Sequence, residues 1–189
     1  PDIIPTSPVL STPPLEWPFT HITETPEAAR RAVQRLDRGN VSTVALHHRL
    51  TPEVARATIE EARRHGLYTA ADVKHVSADR LLEAGVDCIE CVANLCSPDH
   101  PGSPTASVAG EMRRWSHLDL ASDRVARLID RLADEEVFVT TSLLNTERWC
   151  SVEAMIEEPH LEYMATVMPR AEKMIEVRQA VGKGRGKKP

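Results

Sequence analysis

The chain has 189 residues, 41% of them apolar and 27% charged, with a net charge of −5 and only 4% aromatics. That composition is globular, long enough for one domain with a core of Ala, Val, Leu and Ile. It argues against a nucleic-acid binder, which carries a basic excess. No apolar run approaches the roughly 20 residues that span a bilayer. No charged segment followed by an apolar one marks a signal peptide, so a cytoplasmic protein without membrane partners is expected. Four cysteines do not make a disulfide framework in a chain of this size. The start at Pro1 fits either a removed initiator Met or a fragment.

Residues 1–18, PDIIPTSPVLSTPPLEWP, hold several prolines and no helical or strand period. They read as an extended N-terminal arm lying on the surface or on a partner. FTHIT (19–23) is a weak short strand. TPEAARRAVQRLDRGN follows, with Thr25 as N-cap, Pro26 at the first helical position and Glu27 in the first turn. VSTVALHH (41–48) is β-branched and apolar, hence a strand. TPEVARATIEEARRHG repeats the Thr-Pro-Glu opening and closes at His65-Gly66. LYTAADV (67–73) is the next strand. SADRLLEAG is a short helix between Ser77 as N-cap and Gly85 as C-cap, and VDCIECVANL (86–95) is another strand.

After a turn-rich insertion (96–110), SDRVARLIDRLADEE (122–136) carries Val125, Leu128, Ile129 and Leu132 on one helical face. VFVTTSLL (137–144) is the last strand. The remainder to about Val181 reads as mostly helical, and the basic, Gly-rich end 182–189 as a flexible tail. Alternating strands and helices with short connections imply parallel pairing. The predicted fold is α/β: a partial (β/α) barrel over 19–181, or a small doubly wound sheet. A closed eight-stranded barrel needs about 250 residues.

Three segments, in order and spacing, resemble the amidohydrolase superfamily, close to its imidazolonepropionase- and prolidase-like members. EEARRHGLYTAADV resembles that family's helix, His-Gly and strand ending in a metal-binding His. LLEAGVDCIECVANL resembles its AGVDSIEH segment. RRWSHLDLASDRVARLIDRLADEEVFVTTSLL resembles its segment running from a Trp to a late strand. The similarity runs from about Thr25 to Met168.

The resemblance implies a TIM-barrel fold whose metals activate water for hydrolysis of C–N bonds, with ligands at the carboxyl ends of strands. This chain departs from the family at those places. It has no His-x-His triplet. The bridging position falls at about Ala45, one strand-end histidine at Asp72, and the His of IEH at Cys91. The late-strand aspartate would lie beyond the end of the chain.

A substituted zinc site remains conceivable. His21, His47, His48, Asp72, His75 and Cys91 cluster at predicted strand ends, and Asp72, Cys91, His47, His48 and His75 are candidate metal ligands. The alternative is that they are ordinary polar strand ends. Cys88 and Cys91, three apart, would point to opposite faces of one strand. Cys91 as a nucleophile, with His75 or His48 as base, is a further alternative. Trp115 and Trp149 would line the barrel mouth or pack. Two functional classes therefore stay open. One is a metal-dependent hydrolase of a small C–N substrate. The other is a truncated, non-catalytic relative that binds a small-molecule ligand, or pairs with itself or another chain to cover its barrel edges.

Overall fold

The computed structural model of the chain describes residues 5–13, 20–47, 49–96 and 119–142. Those up to Thr141 fall within one compact unit. In chain order it comprises β1 (Val9–Ser11), β2 (Thr20–Ile22), α1 (Pro26–Arg38), β3 (Thr43–Leu46), α2 (Pro52–Arg64), β4 (Tyr68–Ala71), α3 (Ala78–Ala84), β5 (Cys88–Glu90), a 3-10 turn (Val92–Cys96), α4 (Asp123–Asp134) and β6 (Phe138–Thr140). The six strands make one sheet in the order β2-β1-β3-β4-β5-β6. Every pairing is parallel.

The helices begin where the sequence predicts, for the predicted reason. Thr25 Oγ1 accepts from the Ala28 amide at 3.1 Å, Thr51 Oγ1 from Val54 at 3.4 Å and Ser77 Oγ from Arg80 at 3.3 Å. Each satisfies an amide that has no partner inside its helix. Gly85 ends α3 in the left-handed region at φ 83°, where a Cβ would also meet the Arg63 guanidinium at 2.7 Å.

One face of the sheet packs against the helices. Val44, Leu46, Ala71 and Ile89 from the strands join Val33 of α1, Ile59 of α2, Leu81 of α3 and Leu132 of α4 in a single apolar cluster. Fully burying one such Leu or Ile contributes about 1.5–3 kcal/mol. Alternation places Ala45, Ala70 and Cys88 on the opposite face. They are buried too but stand outside that cluster. The described architecture is thus a parallel α/β sheet with alternating helices. Among the described residues the sheet is open, with β2 and β6 as its outer strands. No helix among them is long and apolar enough to cross a membrane.

Three elements differ from the sequence reading. Residues 9–11, read as part of a surface arm without strand period, are a strand lying between β2 and β3, and Leu10 is wholly buried. Proline obscures the pattern. Pro8 has no N–H to give the ladder, and the Ser7 hydroxyl accepts from the Ala45 amide at 3.0 Å in that stretch. Ser7 N–H donates to Thr43 O at 2.8 Å and His47 N–H to Leu10 O at 2.9 Å on either side.

Secondly, the strand predicted over 86–95 stops at Glu90. Cys91 takes φ 69° and the chain turns into the 3-10 segment. The opposite-faces argument for Cys88 and Cys91 therefore does not apply, because Cys91 lies past the strand. Thirdly, the apolar face predicted for α4 is buried only at Leu132, and Ile129 remains 59% exposed. The expectations for His48, Trp115, Trp149, the insertion beyond residue 96 and the chain after residue 142 lie outside the described residues.

Candidate functional site

Because all strands are parallel, their carboxyl ends share one edge of the sheet, where folds of this class collect functional side chains. Leu46, Ala71, Ile89 and Val139 are in register across β3 to β6. The next residues, His47, Asp72, Glu90 and Thr140, therefore form a row across four adjacent strands. By alternation they belong to the face away from the helices. Neighbours in such a row are about 4.8 Å apart along the hydrogen-bonding direction.

The row is held from below by the ladder and from the side by Asn94. His47 N–H donates to Leu10 O and Asp72 N–H to Leu46 O, each at 2.9 Å. Asn94 is 2% exposed. Its Nδ2 donates to Asp72 Oδ1 at 2.7 Å and to the Glu90 carbonyl at 2.6 Å. One amide group thus ties β4 to β5 and anchors the 3-10 turn. Cys91 N–H donates to Thr140 Oγ1 at 3.1 Å, tying that turn to β6.

Asp72 and Glu90 bring two carboxyl groups together on adjacent strands. Burial, and secondarily the Asp72 charge, push the Glu90 carboxyl above the ordinary carboxylate range. Glu90 nonetheless keeps an exposed side chain. The row thus offers an imidazole, two carboxyl groups and a hydroxyl to a polar ligand. The Cys88 thiol lies behind Glu90 on β5 and is pushed up, chiefly by burial. It is a poor nucleophile in that state.

The candidates read from sequence divide. His47, 9% exposed, and Asp72 stand together in the row. Cys91 and His75 are half-buried in the segments following β5 and β4. His48 lies outside the described residues. His21, expected among the strand-end group, is elsewhere. It is in register with core-facing Leu10, its Nε2 lies 2.8 Å from Arg35 Nη2 of α1, and burial and that cation lower its pKa. Among the described residues no three His, Cys, Asp or Glu side chains are grouped to hold a metal. Ala45 presents a buried methyl at the bridging place, which offers a metal no ligand atom. These residues do not fit the resembling family's binuclear centre.

Glu90, Asn94 and Thr140 were missed. The signal for Glu90 was present: it follows Cys88 by two, as His47 follows Ala45 and Asp72 follows Ala70. The resembling family's ligand position lies one residue on, at Cys91.

No family model matches the chain, and no curated protein matches it. Among solved structures, the crystal structure of an uncharacterized protein aligns over 93% of this chain and 42% of its own, at 15% identity and a TM-score of 0.51. That likeness is one of fold alone. The crystal structure of a putative prolidase from Bifidobacterium longum aligns over 46% of this chain and 25% of its own, at 25% identity and a TM-score of 0.41. The chain spans less than half the length of either.

Proposed function

We propose that this chain is an amidohydrolase-like protein, related to metal-dependent hydrolases of C–N bonds, that lacks their binuclear metal centre. In this reading it is part of a (β/α) barrel of the TIM type, and the row His47–Asp72–Glu90–Thr140 receives a small polar ligand. The observation that carries it is Asp72. It stands at the strand-end histidine place of the resembling family, and its Oδ1 accepts the Asn94 amide at 2.7 Å. That bond fixes the orientation of the Asp72 carboxylate, and beside it the buried Ala45 methyl at the family's bridging place supplies no ligand atom. The segment resemblance from Thr25 to Met168 supports the family relationship.

Metal analysis of the purified chain tests this. The expected result is zinc and iron well below one equivalent, unchanged in Asp72→Ala and Cys91→Ala, with no hydrolysis of small amides. One equivalent of metal, lost in either variant, sinks the reading and restores a substituted centre.

A second reading is favoured by β2 and β6, the outer strands of the sheet among the described residues. Here the chain pairs with a second copy, or with another chain that completes a hydrolase, covering unpaired backbone groups. Light scattering separates the two, since a strict monomer removes the homo-oligomer.

A further inference from the structure

Away from the strand ends, α1 and α2 pack side by side around a carboxylate that the candidate site does not use. Glu61 of α2 is 3% exposed. A buried charge is tolerated only when it is well bonded, and this one is bonded from two helices. Gln34 Nε2 of α1 donates to its Oε1 at 2.8 Å. Arg64, one turn on, pairs with its Oε2. His65 Nε2 lies 3.4 Å from Oε1, while His65 Nδ1 lies 2.8 Å from Asp37 Oδ2 back on α1. Glu61 thus takes Gln34 directly and reaches Asp37 through the His65 ring. Among the described residues no charged group of β4 or α3 contacts it; the Arg56–Glu83 pair joins α2 to α3 separately.

We propose that this array is an acid-sensitive latch holding α1 on α2, with the Glu61 carboxylate as the shared acceptor. One protonation removes the charge that the Gln34 amide, the Arg64 guanidinium and the His65 ring all face. The Arg64 guanidinium and the His65–Asp37 pair, themselves partly exposed, then lose the buried acceptor they share. The apolar cluster beside it, with Leu46, Ile59, Leu81 and Ile89, holds no titrating group.

The sign is set by the groups present. The Gln34 amide first, then Arg64 and His65, hold the Glu61 carboxyl below its ordinary value, against the burial that alone would raise it. The contribution is therefore complete above the ordinary glutamate pKa of about 4.3 and is lost as pH falls through the lower folded value. α1 carries the crossover from β2 to β3 past β1, so its release would uncover the outer two strands first. The latch is independent of the amidohydrolase reading, and neither falls with the other.

Site-resolved hydrogen exchange on the full chain, corrected for the intrinsic pH dependence of exchange, tests it. Between pH 7 and pH 3.5, protection of α1 amides is expected to fall about threefold or more beyond that of β3 and β4. In Glu61→Gln, which keeps the shape and the acceptor for Gln34, that pH-dependent difference is expected to vanish. Loss of α1 and sheet protection together, or the same dependence in Glu61→Gln, overturns the proposal. Should Glu61→Gln fail to fold, carboxyl NMR titration of the unmodified chain decides. A Glu61 midpoint at or above the ordinary glutamate value overturns the latch, and a midpoint below it supports the latch.

Discussion

The α2 and α4 helices are near twins in sequence and opposites in setting. Each is about three turns long, is preceded by a hydroxyl residue, carries an acid in the first turn and an arginine in the last. Yet α2 buries seven residues, from Val54 to Ala62, whereas α4 buries only Leu132. Thr51 caps α2 with its side chain. Ser122 turns away and donates to Asp119 O at 2.6 Å instead. The difference lies in position. α2 packs against α1, α3 and β4, while α4 leads into β6, an outer strand among the described residues, where Phe138 is 68% exposed. Amphipathic pattern thus selects the side that faces the sheet, and the neighbours decide how much of that side is covered.

The sharpest way to break that comparison is to truncate matched apolar residues. Ile59→Ala in α2 is expected to cost about 2–5 kcal/mol, as for a fully buried isoleucine that leaves a cavity. Ile129→Ala in α4 is expected to stay within about 0.5 kcal/mol, as for an exposed position. Urea unfolding of the two variants measures both, and equal losses would mean that α4 is as well covered as α2.

Next in size is the tie between β4 and β5. Asn94→Ala removes both Asn94 bonds and leaves the Glu90 carbonyl and Asp72 Oδ1 short of a donor. The expected cost is about 1–3 kcal/mol, with faster hydrogen exchange in β5 and the following turn but not in β3. An unchanged melting temperature would argue that water replaces the amide without loss.

The caps offer a smaller contrast. Thr25→Ala loses a real side-chain cap and is expected to cost about 1 kcal/mol. Ser122→Ala loses only a bond to Asp119 O and should cost less than half of that by thermal melting. A reversal would place the stronger restraint at the outer helix.

The smallest expected effect is a pH dependence. The folded Glu90 carboxyl is shifted upward by burial and then by Asp72. A raised carboxyl opposes folding once it ionises, so its unfavourable effect is absent below the ordinary glutamate range and develops as pH rises through the folded value. Glu90→Gln should therefore raise the melting temperature at pH 7 and leave it unchanged at pH 4. A gain at both values would indicate packing rather than charge.

Much of the fold was legible because it is written locally. Thr25, Thr51, Ser77 and Gly85 mark helix ends through bonds or dihedral angles that involve their own neighbours within a few residues. The candidate site was legible in part. His47 and Asp72 were found by counting residues along strands, but Glu90 was passed over for Cys91. Asn94 was unreadable, because 86–95 has the apolar composition of a strand and nothing in it announces the turn at Cys91.

What the amino-acid sequence determined by itself is the alternation of strand and helix, its capping residues and the resulting parallel α/β class. These depend on backbone propensity and on hydrogen bonds within a few residues. Only the tertiary structure decided that residues 9–11 enter the sheet between β2 and β3. It alone aligned His47, Asp72, Glu90 and Thr140 in one row, and buried α2 while leaving α4 half open. Those outcomes depend on register between strands far apart in the chain, and register is set by the sum of contacts across the sheet rather than by any one segment.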